Sequence, residues 1–404
     1  MRKPEIMGNM SPQEAEEKIR AAGLCDCGVF RDPLADRMEK IRDHQRIHPE
    51  AVCVTAALNN NDSEHVLLSL LENRRDEIFE GIGIMACALS AQKAVLQIPE
   101  GEEISPELEC AAAEAGVEIG TGLVNMRQNR HQMVMHIAAA ISVSELFHGK
   151  VCPGAYVSVC CGAETGPLKK VAYGTTVKEI AGEIPPMRFF SVGEKIYSPD
   201  ETNLAITEDL CIGNGVIRFY PADCCIIQET ESHLLKLREE SCGKCTFCRE
   251  GLTQFHTALQ AIPKGKGQRE RLDIIREIGE AMPYSTQCSI GMQGADFVLG
   301  TMDKFSKEYD DHIIRHRCEA KKCTAFQKMY IDPQKCTGCM DCMDVCEQDA
   351  IEGKSGYIHM IDEYECNLCG KCAEVCGEGA VIHTSERLPK LPTKLTKCGR
   401  FKKR

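Results

Sequence analysis

Residues 330–381 carry one motif twice, thirty residues apart: YIDPQKCTGCMDCMDVCEQDAI is followed by MIDEYECNLCGKCAEVCGEGAV. Each copy supplies C-x-x-C-x-x-C-x-x-x-C. In two-cluster ferredoxins with this spacing, three thiolates of a copy hold one four-iron cluster and the fourth reaches across to the other. Cluster one would therefore take Cys336, Cys339, Cys342 and Cys376, and cluster two Cys366, Cys369, Cys372 and Cys346. A segment written this way is organised around metal. The proline usual after the fourth cysteine is replaced by Glu347 and Gly377. Neither change removes a ligand, and the charge of Glu347 is expected to lower the potential of a nearby cluster.

A third cluster pattern lies upstream. ESCGKCTFCREG places Cys242, Cys245 and Cys248 at two-residue gaps, and Cys288 follows inside STQCSIG. Apolar periodicity puts helices from Leu234, over Leu252–Ile262 and Arg271–Met282, and over Ala295–Ile314. These make an antiparallel four-helix bundle whose cysteine loops meet at one end and hold a third [4Fe–4S] cluster. The 26 cysteines do not suggest a secreted disulfide scaffold, because the chain shows no leader pattern and its cysteines fall in C-x-x-C steps. A reducing, cytoplasmic setting is expected. No apolar run of about 18 residues predicts a membrane span, and a net charge of −12 argues against nucleic acid. The basic tail with Lys397, Arg400, Lys402, Lys403 and Arg404 reads as a solvated terminus or as a docking strip for an acidic subunit.

The rest of the chain reads as mixed α/β and α+β in several domains. Residues 1–148 alternate helix and strand: a helix over Pro12–Ala22 capped by Ser11, a strand over Ala51–Ala57 and a helix over Asp76–Ser90. A strand over Ala94–Ile98, a helix over Pro106–Ala115 and a helical stretch from Met133 to Phe147 follow. This predicts a layered, largely parallel sheet. No G-x-G-x-x-G or P-loop is present, so the domain is not expected to bind nucleotide. Residues 149–226 carry short β-rich runs and one helix after Thr176, a β-grasp pattern. Its Cys152, Cys160, Cys161, Cys211, Cys224 and Cys225 lack ligand spacing and read as small core residues. Residues 227–316 form the bundle and 317–404 the ferredoxin-like domain.

Cys318 and Cys323 stand between these modules in RCEAKKC. Together with His383 and Cys398 they have the count of a structural zinc site, with His316 or His359 as alternatives to His383. Zinc would staple the tail against the first strand of the ferredoxin domain. The other reading is free surface thiols.

From about residue 120 onwards the chain resembles the NADH-binding flavoprotein subunit of complex I and the diaphorase-type subunits of electron-bifurcating hydrogenases and formate dehydrogenases. LVNMRQN, VAYGTTVKEIAG, ESCGKCTFCREG and TQCSIGMQGADFVLGTMDKF carry the likeness, as does the appended two-cluster ferredoxin. RDEIFEGIGIMACALSAQKAVLQIP extends it upstream more weakly. The resemblance implies FMN and NADH at the N-terminal domain, but the family's glycine- and arginine-rich phosphate loop and its paired-glutamate loop have no counterpart. TAALNNNDSEH stands in place of its acidic segment, and the carboxylates of EGEEISPE would repel phosphate. The chain is therefore expected to lack FMN and NAD(H) and to have no catalytic side chain. It is expected to relay electrons through three [4Fe–4S] clusters in a multisubunit, flavin- and NAD(P)H-dependent oxidoreductase, an electron-bifurcating one included. Its partners would be a flavoprotein subunit and ferredoxin or a catalytic subunit. The alternatives are an FMN-containing diaphorase and a redox-sensing or structural scaffold.

Overall fold

The computed structural model describes residues 3–47, 51–125, 127, 131–162, 164–386 and 388–401. Lys402, Lys403 and Arg404 of the basic tail, and Met126, Gln128 and Asn129 of LVNMRQN, lie outside the described residues. The chain divides into two compact units. One comprises Met1–Cys224, Glu229–Thr257 and Glu270–Ser306; the other comprises Cys225–Gln228, Ala258–Arg269 and Lys307–Arg404.

The first unit opens with α1 (Pro12–Ala22) and α2 (Leu34–Ile47). A capping box starts α1: Ser11 accepts from the Glu14 amide and the Glu14 carboxylate accepts from the Ser11 amide. Then come β1 (Cys53–Ala57), α3 (Val66–Asn73), α4 (Arg75–Ala88), β2 (Lys93–Ile98), α5 (Pro106–Ala115), β3 (Glu118–Thr121), β4 (Gln132–His136) and α6 (Ile137–Phe147). The strands form an all-parallel sheet in the order β3-β2-β1-β4. From Ile78 onwards helix α4 is apolar apart from Glu80 and almost wholly buried, as a helix inside a layered core must be. It packs closely on α6 at Gly81, where a Cβ would overlap the Ala140 carbonyl. The apolar run from Met133 to Phe147 is not one helix. Its first residues pair with β1, Cys53 opposite Gln132 through Ala57 opposite His136, and the helix starts only at Ile137.

A mixed sheet follows, from β5 (Gly154–Cys161), β6 (Glu164–Thr165), β7 (Lys169–Ala172), β8 (Met187–Val192), β9 (Lys195–Tyr197) and β10 (Val216–Pro221). Its order is β6-β5-β10-β8-β9, with β7 also paired to β5 and a parallel pairing of β5 with β10. Between β7 and β8, α7 (Val177–Ala181) is started by a Thr176–Glu179 capping box and buries Val177 against Phe190 and Ile217. The helical segments are α8 (Ile226–Glu240), α9 (Thr246–Ala261), α10 (Arg269–Ser285), α11 (Ser289–Gln293), α12 (Asp296–Lys304) and α13 (Ser306–Ile313). The expected helix over Ala295–Ile314 is broken at Phe305, between α12 and α13. Within the first unit, Phe189 of β8 stacks on Tyr220 of β10 at 4.1 Å between ring centroids and meets Phe297 of α12 edge-on, joining sheet to helices.

The second unit ends in a pseudo-symmetric domain: β11 (Lys328–Ile331), α14 (Asp341–Asp344), β12 (Ile351–Glu352), β13 (Met360–Ile361), α15 (Lys371–Glu374) and β14 (Val381–Thr384). The sequence repeat is written into its backbone. Asp332 N donates to Ala380 O and Asp362 N to Ala350 O, both at 2.8 Å. Met340 and Gly370, Gly338 and Leu368, and Asp349 and Gly379 all take positive φ at matched positions, the tight turns that wrap thiols around a compact group.

Candidate metal centres

In the ferredoxin-like domain Cys336, Cys339, Cys342 and Cys376 line one cavity, and Cys346, Cys366, Cys369 and Cys372 line another. The fourth thiol of each run thus faces the other run's trio. Burial, then the neighbouring Cys336 and Cys339 sulfurs, push the Cys342 thiol up to about 12. Four crowded thiols cannot all shed protons in such a place without a cation, and a cationic iron–sulfide core meets that demand. Glu347 pairs with Lys371 at 2.5 Å on the surface.

In the first unit, the loop between α8 and α9 carries Cys242 and Cys245, the first turn of α9 carries Cys248, and Cys288 precedes α11. Cys248 and Cys288 are buried, and both sense the charges of Cys242 and Cys245. Burial raises Cys288, but the amides of Gly291 and Ile290 donate to its sulfur and oppose the shift. Gly291 is needed here, since a Cβ would collide with the Thr286 side chain. One residue that the spacing of cysteines does not reveal holds this loop. Arg127, from LVNMRQN, donates to the Thr286 carbonyl at 2.5 Å and the Pro283 carbonyl at 2.7 Å, both just ahead of Cys288.

The fourth grouping differs from the expected one. Cys318 and Cys323 are joined by Cys225 and His312, not by His383 and Cys398, and the four ligand atoms lie within 4.8 Å of one another. Cys225 Sγ is 3.3 Å from His312 Nε2 and 3.6 Å from Cys323 Sγ. Bonds of about 2.3 Å to a tetrahedral ion imply edges of roughly 3.8 Å. All four residues are at most 2% exposed. His312 Nδ1 donates to the Glu308 carbonyl at 2.7 Å, which turns Nε2 towards the thiols, where giving up its proton would free it to ligate an ion. Burial alone would lower the His312 pKa, but hydrogen bonds with Cys225 and Cys318 hold it up at about 10. His383 is exposed on β14, and Cys398 faces Cys336 instead. Of the alternatives, His359 is buried beside Cys342, and His316 packs its ring near Phe326. Cys225 lies between β10 and α8, immediately before the helix and outside any strand.

A cleft of about 420 Å³ opens at the carboxyl ends of β1, β2 and β3, where α/β sheets usually bind ligands. Its lining does not suit a flavin phosphate. Asp62, Glu100, Glu102 and Glu240 face it. The helix N-termini after the strands are already capped by the chain itself. Asp62 accepts from the Val66 and Leu68 amides of α3, Ser105 from Leu108 of α5, and His136 Nδ1 from Ala138 of α6. These caps take up the Val66, Leu68, Leu108 and Ala138 amides, which a phosphate would otherwise compete for.

Residues 230–312 match the family described as the NADH-ubiquinone oxidoreductase-F iron-sulfur binding region, and residues 328–377 match the 4Fe-4S dicluster domain. The chain is therefore an iron–sulfur-binding protein of mixed α/β architecture. It is homologous to the 51 kDa-type subunits of NADH-quinone oxidoreductases and related hydrogenases. It is 35% identical over 160 residues to the HndC subunit of the NADP-reducing hydrogenase of Solidesulfovibrio fructosivorans, covering 40% of this chain and 32% of that one. The F-type subunit of the NADH-quinone oxidoreductase of Streptomyces coelicolor is 29% identical over 107 residues, 26% of this chain and 24% of the relative. The alpha subunit of HoxS, the NAD-reducing hydrogenase of Cupriavidus necator, is 27% identical over 157 residues, 37% and 26%. The match thus spans about a third or less of these relatives' lengths. The fold resembles that of a chain of the NAD+-reducing [NiFe]-hydrogenase in the air-oxidized state, with a TM-score of 0.65 at 17% identity over 78% of this chain and 65% of that one. Among the described residues no helix is long and apolar enough to cross a membrane.

Proposed function

We propose that this chain is an electron-relay subunit of a multisubunit, flavin- and NAD(P)H-dependent oxidoreductase. It carries three [4Fe–4S] clusters and no flavin of its own. The observation that carries the reading is the crossed gathering of thiols: Cys376 lines the cavity of the first trio and Cys346 that of the second. Each cluster, when bound, passes one electron at a time. The chain's part is to hold the thiolates, keep water from Cys248, Cys288, Cys342 and Cys372, and aim amides at the sulfurs. The flavin and nicotinamide chemistry belongs to a partner subunit, with ferredoxin or a catalytic subunit at the other end. The self-capped helices above the parallel sheet support this division.

Cys225, His312, Cys318 and Cys323 bind zinc. The set is closed, buried and supplies all four ligands, the mark of a structural rather than a catalytic site.

The test is Cys288→Ala in the full chain. One of three [4Fe–4S] signals should vanish from the dithionite-reduced spectrum, and about four of about twelve iron atoms with it. Loss of all three signals would overturn the assignment of separate centres.

A further inference from the structure

The two halves of the repeat share a backbone but not what faces their sulfurs. His359 is 1% exposed, with Nδ1 3.4 Å from Cys342 Sγ and Nε2 3.3 Å from Met340 Sδ. Its ring occupies space that only a glycine leaves open, since a Cβ on Gly353 would overlap His359 Cδ2. On another sulfur of the same set, Cys398 faces Cys336 within hydrogen-bonding reach. The tail there is pinned by Ile358 N donating to Thr396 O at 2.9 Å and Cys398 N to Gly356 O at 3.1 Å. The repeat has no counterpart at the matched positions, and the second cavity is lined instead by Lys371, whose ammonium pairs with Glu347. Thirty residues before and after His359 stand Met329 and Pro389, and the counterpart of Met340 is Gly370. None of these side chains has an N–H.

A cysteine that ligates iron is a thiolate and can only accept, and a thioether likewise only accepts. A neutral imidazole between two acceptors has one proton to place, and the charged sulfur is the stronger acceptor. The proton therefore belongs on Nδ1, directed at Cys342.

We propose that His359 tunes cluster one: its Nδ1–H donates to the Cys342 thiolate and sets that cluster's reduction potential above that of cluster two. This rests on the two-cluster reading given above. Adding one electron to a [4Fe–4S]2+ core spreads negative charge onto its thiolate sulfurs, and an N–H aimed at one of them favours the reduced form. A single electron entering this domain then rests on cluster one. His359 is a positioning residue, acting through Cys342.

The experiment is a redox titration of the full chain followed by electron paramagnetic resonance, with dithionite as the electron donor and iron content measured in parallel. In His359→Leu the more positive of the two ferredoxin potentials should move down and the other stay put. His359→Gln, which keeps an N–H, should move it less. Unchanged potentials with iron retained, or equal shifts in both variants, would overturn the tuning role. Wild-type protein with histidine labelled by 15N gives a readout that needs no variant. The higher-potential cluster should show a 15N coupling, and its absence would overturn the proposal. Wild-type protein holding only four iron atoms in total would instead overturn the two-cluster reading itself.

Discussion

His312 Nε2 lies 3.3 Å from Cys225 Sγ although the two residues are 87 positions apart. The contact joins the start of α8 to the end of α13, and the RCEAKKC loop closes over it with Cys318 and Cys323. Zinc analysis of single variants tests the set. Cys225→Ala and His312→Ala should each shed about one zinc per chain and leave iron unchanged, because three ligands and a gap no longer make a closed site. His383→Ala and Cys398→Ala should keep zinc. Retention in the first pair, or loss in the second, would disprove this ligand set.

Arg127 is expected to guard the bundle centre. Its guanidinium supplies the Thr286 and Pro283 carbonyls with charge-assisted hydrogen bonds, and losing them should cost about 2 kcal/mol of local stability. That corresponds to a roughly 30-fold larger open population. Chelator-driven iron release from Arg127→Ala should accelerate by about that factor for four irons only. Uniform release from every centre would count against it.

His136 should make the first unit sensitive to acid. Burial lowers its pKa to about 4, with Asp26 opposing, and its Nδ1 accepts the Ala138 amide only while unprotonated. Because the folded value lies below the unfolded one near 6.5, the unfolded chain takes up the proton first. Stability is complete above about pH 7 and falls as pH drops from 6.5 towards 4, by about 3 kcal/mol at most. Asp62, raised to about 6 by burial, pulls the other way below that pH. The comparison is therefore with His136→Asn, which keeps a capping acceptor. Its denaturation midpoint should fall less steeply between pH 6.5 and 4 than that of the wild type, and parallel curves would refute the assignment.

Gly81→Ala should destabilise the parallel-sheet core by about 1–3 kcal/mol, because α4 and α6 meet backbone to backbone at that residue and Ala140 cannot yield without moving its helix. A denaturant midpoint equal to the wild type would show that α6 gives way at no cost.

The cysteine spacing made the ferredoxin sets legible, since a fixed step between ligands is dictated by the metal group and not by the fold. The companions of Cys318 and Cys323 were not legible. Cys225 sits beside Cys224 in a β-rich stretch and looks like core, and only the tertiary fold brings it to His312. The stretch from Met133 to Phe147 is apolar apart from His136, Ser142, Ser144 and Glu145, and periodicity cannot divide such a run; the pairing of Gln132–His136 with β1 decides it. Asp62 lies in TAALNNNDSEH, which in sequence marks only a departure from the acidic segment of the resembling family. That its carboxylate caps α3 depends on a loop geometry with His65 in the left-handed region, which no pattern of residue types specifies.

A relay without its own flavin is tested by the iron, zinc and flavin content of the chain purified alone under anaerobic conditions. Such a relay should hold about twelve iron atoms, from three four-iron clusters, about one zinc, from one closed four-ligand site, and no flavin. Stoichiometric flavin would contradict it and make the chain itself the dehydrogenase.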